Sequence, residues 1–278
     1  MCRMMMFIGE YDKGKLKFFE SLVEAAARDH VLGKYYEKRY EQHGDGWGIV
    51  IIDLDSGARY HIYKSLNPIF EERTILRSIL KDYESKRIAV LVHARKAATS
   101  PKNIESVHPF SYVSDKSTTI FVAHNGLINK DFFAKELNLS EKVIQRLCEG
   151  HLFALWLSGL WSNWKEAIKT LIRGGIVKVS PNAFIVELSD GGISSYAISY
   201  MNRQRIMRKI KDLAKLEALE EYYRVYYLVR EDYILISTST VPDYIKTINR
   251  NEWNSLSLNG EYLQINERMH VFRKKFIL

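Results

Sequence analysis

Short β-forming runs occur in blocks along this chain, and helical stretches separate the blocks. The runs cover residues 2–8, 47–54, 59–64, 88–92, 118–122, 183–188, 193–199, 225–229, 233–237, 262–265 and 270–276. Gly-containing turns at residues 55–57 and 189–192 join two pairs of runs, which is typical of β-hairpins. Because strand and helix do not alternate regularly, the pattern predicts an α+β fold with largely antiparallel sheets. No linker rich in Pro, Gly or Ser divides the chain, so we predict a single domain over residues 1–278.

The spacing of apolar residues predicts helices over residues 16–40, 67–83 and most of 131–174. A further helix is predicted over residues 203–215, where Lys and Arg are dense. The net charge of +8 raises the question of nucleic-acid binding. Most positive charge is spread along the chain, so we interpret 203–215 as an amphipathic helix with a solvated basic face. We expect no nucleic-acid partner, and an acidic docking partner is the alternative.

Two cysteines, Cys2 and Cys148, are too few for a disulfide framework and fit a reducing compartment. The apolar cluster at residues 4–8 is too short for a signal-peptide core. No apolar stretch is long enough to cross a bilayer. The sequence therefore predicts a cytoplasmic protein that does not associate with a membrane.

Cys2 directly follows the initiator Met1. Cysteine is small enough for Met1 to be removed, which leaves Cys2 with a free α-amine whose pKa is about 8. Such an amine can act as the base for its own thiol, so the nucleophile needs no separate histidine. The alternative is a small buried strand residue, the usual fate of a cysteine.

Two motifs follow β-forming runs and carry groups suited to amide chemistry. In the first, Asn125 and Gly126 offer a side-chain amide and a backbone amide that can bind a tetrahedral oxyanion. The alternative is a plain turn, because Asn-Gly is a strong turn dipeptide. In the second, Arg95 can bind a carboxylate through two parallel hydrogen bonds. The alternative is an ordinary surface ion pair.

A Gly-rich loop at residues 43–48 is too short for a phosphate-binding loop and contains Trp47, which suits a lid or the wall of a pocket. The alternative is a tight loop with Trp47 in the core. The motif histidines lack paired ligand spacing, and we therefore expect no metal and no other cofactor. These histidines are His43, His93, His108 and His124.

The ordered set of motifs resembles the class II glutamine amidotransferases, and most of all their small stand-alone YafJ-like and EgtC-like branch. The segments that carry the resemblance are Met1-Cys2-Arg3, Asp45-Gly46-Trp47-Gly48, His93-Ala94-Arg95, His108-Pro109-Phe110 and His124-Asn125-Gly126. The resemblance implies the N-terminal-nucleophile hydrolase fold, a four-layer αββα sandwich. It also implies hydrolysis of the glutamine side-chain amide through a thioester on Cys2, with glutamate and ammonia as products.

By the same resemblance, Asn125 and Gly126 form the oxyanion hole, and Arg95 holds the α-carboxylate of the substrate. We expect His93, His124 and Trp47 to contribute to the substrate site. The family usually has an Asp that binds the substrate α-amine, and Glu149 stands at the matching position here. This departure keeps a γ-glutamyl amide open as the substrate beside free glutamine.

No second catalytic domain is recognisable before residue 278. We therefore expect either a separate synthase that accepts the ammonia or a plain amidohydrolase. A non-catalytic regulatory subunit that keeps the fold is the remaining alternative.

Overall fold

In a computed structural model, the chain is described over residues 2–35, 41–56, 59–97 and 100–276. The strand that follows Cys2, β1 (Arg3–Tyr11), lies in the middle of a sheet of seven antiparallel strands in this described part. The other strands of this first sheet are β2 (Trp47–Asp53), β3 (Arg59–Ser65), β4 (Lys86–Ala94), β9 (Val225–Val229), β10 (Tyr233–Thr238) and β11 (Asn254–Ser255). Their spatial order is β11-β9-β10-β1-β4-β2-β3.

The second sheet contains six antiparallel strands in the described residues, in the order β13-β12-β8-β7-β6-β5. They are β5 (Phe110–Val113), β6 (Thr119–Ile128), β7 (Val177–Ser189), β8 (Gly192–Tyr200), β12 (Asn259–Ile265) and β13 (Val271–Lys275). The predicted hairpin around residues 189–192 is confirmed as β7–β8. The hairpin β2–β3 is also formed, but Gly57 of its predicted turn lies outside the described residues.

Ten α-helices are described, and most of them cover the outer faces of the sheets. They are α1 (Leu16–Ala27), α2 (His30–Tyr35), α3 (Arg73–Lys81), α4 (Lys130–Glu136), α5 (Glu141–Arg146), α6 (Glu149–Ser158), α7 (Trp164–Arg173), α8 (Arg203–Met207), α9 (Leu213–Tyr223) and α10 (Val241–Tyr244). Helices α1, α3 and α10 pack on the first sheet, and α4, α6 and α7 on the second.

The two sheets bury a common apolar core between them. Along β1, Met4, Met6 and Ile8 face the second sheet, whereas Met5 and Phe7 face α1. Alternate residues of a strand point to opposite faces, so a strand covered on both sides is apolar at every position. The predicted four-layer αββα sandwich with antiparallel sheets is therefore confirmed. The described residues contain no helix long and apolar enough to span a membrane.

Three predicted helices were too long. The prediction for residues 16–40 is wrong at Asp29. The carboxylate of Asp29 accepts a hydrogen bond from the Leu32 N–H, and the new helix α2 starts there. Residues 36–40 lie outside the described range. The helix predicted from residue 67 begins at Arg73, because the Asn67 side chain donates a hydrogen bond to the Glu72 carboxylate and does not cap a helix. The basic helix over 203–215 is divided into α8 and α9, and Asp212 caps α9.

Two of the motif histidines, His93 and His124, lie on strands and not in loops. Strand β4 continues through His93 and Ala94, and β6 continues through His124, Asn125 and Gly126. Each of these runs pairs with a neighbouring strand along its length. The motifs therefore stand on rigid strands of the two facing sheets rather than in turns.

Candidate active site

Cys2 lies between the two sheets, directly before β1, and is buried. Its backbone nitrogen donates a hydrogen bond to Asn125 Oδ1 at 2.9 Å. Its carbonyl oxygen accepts one from the Tyr222 hydroxyl at 3.3 Å. The nitrogen that would become the α-amine after removal of Met1 is thus held on β6 of the opposite sheet. Met1 itself lies outside the described residues.

Asn125 is fully buried, and its Nδ2 has no hydrogen-bond partner in the described structure. A buried donor without a partner is costly, which is a reason to expect that a ligand takes this bond. The next residue, Gly126, lies against β7, where a Cβ would come within 1.7 Å of the Ser180 carbonyl oxygen. Only glycine fits there, so the backbone of Gly126 remains open to the cavity beside Cys2.

A cavity of about 150 Å³ opens at Cys2. Residues from distant parts of the sequence line it together, including Cys2, Arg95, His124, Gly126 and Glu149. The structure therefore brings together most of the residues that the sequence singled out. Asn125 stands behind this lining and reaches the cavity through its contact with Cys2.

Arg95 is almost fully buried, and backbone carbonyls hold its guanidinium. It donates to the Pro101 carbonyl at 2.8 Å and to the Asp45 carbonyl at 3.5 Å. No carboxylate of the described residues lies within 4.0 Å of it, so none of their side chains neutralises its charge. This arrangement argues against the structural ion pair that the sequence left open. It leaves a cation in the cavity wall that can bind an anion.

Glu149 is the first residue of α6, and its half-buried side chain lines the same cavity as Arg95. The helix start is packed closely, because a Cβ at Gly150 would lie 2.5 Å from His108 Nε2. The start of α6 thus brings Glu149 to a cavity that the cationic Arg95 also lines. A site with one cation and one carboxylate suits the two charges of an α-amino acid.

The Cys2 thiol is acidic for a buried group. Burial is the largest single influence and raises its pKa, but the positive charge of the chain's N-terminal amine, His93 and the Lys96 N–H together outweigh burial. The resulting pKa is about 6. Cys148, which lines the same cavity, behaves in the opposite way, because burial and the charge of Glu149 raise its pKa. The reactive thiol is therefore Cys2, since the thiolate is the nucleophilic form.

Two of the residues predicted to contribute to the substrate site, Trp47 and His93, do not line the cavity. Trp47 does not line the cavity: it is fully buried in the core below α1 and donates to Glu72 Oε2 at 2.7 Å. His93 lies under the thiol and donates from Nε2 to the His124 carbonyl at 3.2 Å. His124 does line the cavity. Burial, the N-terminal charge and His93 lower its pKa to about 3, so it is neutral.

No group of three or more His, Cys, Asp or Glu residues within the described ranges is arranged to hold a metal ion. The rings of His93 and His108 instead stack with centroids 4.0 Å apart. Burial and the neighbouring histidines hold the pKa of His108 well below its usual value. His108 is therefore a neutral group in the cavity wall.

The sequence did not predict a buried ionic network behind Cys2. Arg3 Nε donates to Asp29 Oδ2 at 2.5 Å, and His43 Nε2 donates to the same oxygen at 2.7 Å. The Arg3 guanidinium also lies 4.1 Å from the centre of the Tyr222 ring, whose hydroxyl contacts Cys2. His43 therefore belongs to this network and not to a lid. The signal in the sequence was the charged residue Arg3 directly before the apolar run of β1.

Comparisons with known proteins agree with this geometry. The sequence of residues 34–154 matches the family model for class-II glutamine amidotransferases. The match covers less than half of the chain. It includes Arg95, Asn125, Gly126 and Glu149, whereas Cys2 lies before it. A comparison with curated proteins gave no significant match.

Solved structures of this class share the fold. A structure described as the allosteric regulatory enzyme of purine biosynthesis has a TM-score of 0.62 and 13% identity, and covers 100% of this chain and 49% of that one. Glutamine phosphoribosylpyrophosphate amidotransferase from B. subtilis has a TM-score of 0.56 and 13% identity, and the match covers 100% of this chain and 50% of that one. A glutamine aminotransferase class-II domain protein from Silicibacter pomeroyi has a TM-score of 0.51 and 16% identity, and the match covers 100% of both chains. This chain spans about half the length of the first two.

The low pKa of Cys2 predicts how fast iodoacetamide will alkylate it in a Cys148→Ser background. Because the pKa falls from 9.0 to about 6, the thiolate is the main form at neutral pH. The alkylation rate should rise with pH around 6 and level off above about pH 7. A rate that still rises steeply between pH 7 and 9 would show that the thiol is not acidified.

The buried network predicts a large loss of stability for Asp29→Asn. Arg3 and Asp29 are both fully buried, so the variant leaves the guanidinium without its counter-charge. Breaking a buried pair in this way costs about 3–5 kcal/mol, to be measured as the free energy of unfolding in urea. The matched control is Asp232→Asn: its carboxylate is exposed, and its partner Lys15 keeps a second carboxylate in Asp12, so stability should change by less than about 1 kcal/mol. Equal effects of the two variants would contradict the prediction.

Proposed function

We propose that this protein hydrolyses the side-chain amide of glutamine through a thioester on Cys2, giving glutamate and ammonia. The observation that carries the proposal is the hydrogen bond from the Cys2 nitrogen to Asn125, at a cavity that Arg95 and Glu149 also line. It supports a site in which a nucleophile, a base and oxyanion donors act on one carbonyl group. The match of residues 34–154 to the class-II glutamine amidotransferase model supports the same reaction.

The reaction begins with Cys2 as the N-terminal residue, after removal of Met1. The free α-amine takes the proton of the thiol, and Sγ attacks the side-chain carbonyl carbon of glutamine. The tetrahedral oxyanion accepts hydrogen bonds from Asn125 Nδ2, which is otherwise without a partner, and from the Gly126 N–H. The α-ammonium then returns the proton to the amide nitrogen, and the C–N bond breaks to release ammonia. Water attacks the thioester, which yields glutamate and restores the thiol.

Substrate binding follows from the two charged residues of the cavity. The Arg95 guanidinium binds the α-carboxylate, because backbone carbonyls hold it while its charge stays available. Glu149 binds the α-ammonium. We assign His124 to the wall beside the scissile amide, since it lines the cavity and is neutral.

The whole chain, residues 1–278, functions in this proposal as a single domain without a cofactor, in the YafJ-like and EgtC-like branch of the family. We place it in the cytoplasm, where the Cys2 thiol stays reduced. The ammonia acceptor would be a separate synthase that docks on this protein.

The experiment that tests the function compares Cys2→Ser with Cys148→Ser. Both thiols line the cavity, but only Cys2 bonds to Asn125. We expect Cys2→Ser to lose glutamate release from glutamine by a factor of about 1,000 or more, while Cys148→Ser keeps most of it. Unchanged activity in Cys2→Ser would remove Cys2 as the nucleophile.

A second prediction concerns Arg95→Lys, which keeps the charge but loses the paired donors. If Arg95 binds the α-carboxylate in both ground and transition states, the variant should mainly raise KM for glutamine. The loss should amount to about 1.5–3 kcal/mol of binding energy, the scale of a charged hydrogen bond. An unchanged KM with a lowered thermal stability would instead mean that Arg95 only supports the loop at Asp45 and Pro101.

A further inference from the structure

A second cavity, of about 360 Å³, lies against a different face of α9 from the catalytic one. Glu220 and Arg224, at the C-terminal end of α9, line this cavity, whereas Leu219 and Tyr223 line the cavity at Cys2. The two cavities share no lining residue in the described part of the chain. The second cavity is therefore separate from the catalytic one.

Three arginines from different elements converge on this second cavity. Arg203 begins α8, Arg224 directly follows α9, and Arg273 lies in the edge strand β13. The lining contains one carboxylate beside them, that of Glu220. The connection from β11 to β12 adds polar side chains, which are Ser255, Ser257 and Asn259. The cavity is thus positively charged and rich in hydrogen-bond donors.

The carboxylates near two of these arginines leave the guanidinium donors unused. Arg203 Nε lies 2.6 Å from Glu220 Oε1, and Arg224 Nε lies 3.2 Å from a Glu221 oxygen. Neither contact is a hydrogen bond, because Glu220 Oε1 and Arg224 Nε have no hydrogen-bond partner among the described residues. Glu221 is also shared with Arg250, at 2.9 Å. Unused donors in a concave site are a reason to expect a ligand that accepts hydrogen bonds.

Arg273 is held more firmly and forms the fixed side of the cavity. Its Nε and Nη2 both donate to Glu261 Oε2, at 2.9 and 2.6 Å. The same oxygen accepts the Ser257 N–H at 2.8 Å, so the buried Glu261 ties Arg273 to the wall that Ser257 belongs to. These contacts do not use Arg273 Nη1, which leaves a donor for a ligand.

We propose that this second cavity binds the diphosphate group of a small-molecule ligand. The planar donor fork of a guanidinium matches the oxygens of a phosphate. A diphosphate has enough negative charge and enough acceptor oxygens to contact Arg203, Arg224 and Arg273 together, whereas a single carboxylate occupies the fork of one arginine. The cavity is more than twice as large as the one at Cys2, which leaves room for such a group. The site does not depend on the proposed glutaminase reaction, because it contains none of the residues at Cys2.

The test is a calorimetric titration of the full chain with inorganic pyrophosphate. We expect saturable binding at a single site, tighter than the binding of orthophosphate, because orthophosphate cannot reach all three arginines at once. Arg203→Gln should weaken the binding of pyrophosphate about tenfold or more, the effect of one lost charged hydrogen bond. The Arg203 side chain is 60% exposed, so the variant should fold normally.

The matched control is Arg208→Gln, which removes one exposed charge from the end of the same helix but does not line the second cavity. It should keep the affinity for pyrophosphate. The absence of saturable binding to the unmodified protein would overturn the proposal. So would an equal weakening in both variants, because general attraction to the basic segment would then explain the binding.

Citrate and uridine diphosphate test the chemistry of the ligand. Citrate carries three carboxylates, and tighter binding of citrate than of pyrophosphate would overturn the assignment to a diphosphate. Uridine diphosphate distinguishes two sources of the group. Tighter binding than that of pyrophosphate supports a diphosphate ester such as a nucleotide, and equal binding supports recognition of the diphosphate alone.

Discussion

The hydrogen bond between the Cys2 nitrogen and Asn125 is the constraint on which the active site depends. It connects the start of β1 in one sheet to β6 in the other, across 123 positions of sequence. The same contact would place an α-amine beside the thiol, and Asn125 Nδ2 has no hydrogen-bond partner among the described residues. Every other element of the proposed mechanism is positioned relative to this pair, which stands on paired strands and not on loops.

The other side of Cys2 is held by buried charge. Arg3, the next residue, is tied to Asp29 and His43, and the Tyr222 hydroxyl contacts the Cys2 carbonyl. Burial lowers the pKa of His43 to about 4, so this histidine is neutral and the network consists mainly of one cation and one anion. A buried ion pair is seldom a net gain over apolar packing, because both ions lose their hydration. Its presence directly behind the nucleophile is better explained by positioning than by stability.

The sequence predicted the fold well because its strands have strong local signals. A few consecutive residues are enough to recognise the apolar runs of β1 and β4 and the turn between β7 and β8. Helix ends were less accurate, because they depend on tertiary partners. Asp29 interrupts a helical pattern because its carboxylate accepts a hydrogen bond from the Leu32 N–H and is also held by Arg3 and His43.

The sequence predicted the motifs of the candidate site, but it could not predict how their residues are arranged in space. Asn-Gly at 125–126 is equally a turn signal, and only the pairing of β6 with β7 shows that it is part of a strand. Trp47 sits in a Gly-rich loop pattern, yet its indole turns to Glu72 in the core. The role of Tyr222 lay beyond sequence reasoning, since 220 positions separate it from Cys2.

The most direct test of the account is to map where a glutamine-analogue electrophile reacts. The purified protein, treated with 6-diazo-5-oxo-norleucine and digested, should give an N-terminal peptide that begins at Cys2 and carries one label on Sγ. Excess glutamine should prevent the labelling, because both compounds occupy the cavity at Arg95 and Glu149. An N-terminal peptide that retains Met1 and is unlabelled would contradict the central claim, since Cys2 would then have neither the free amine nor the reactivity that the mechanism requires.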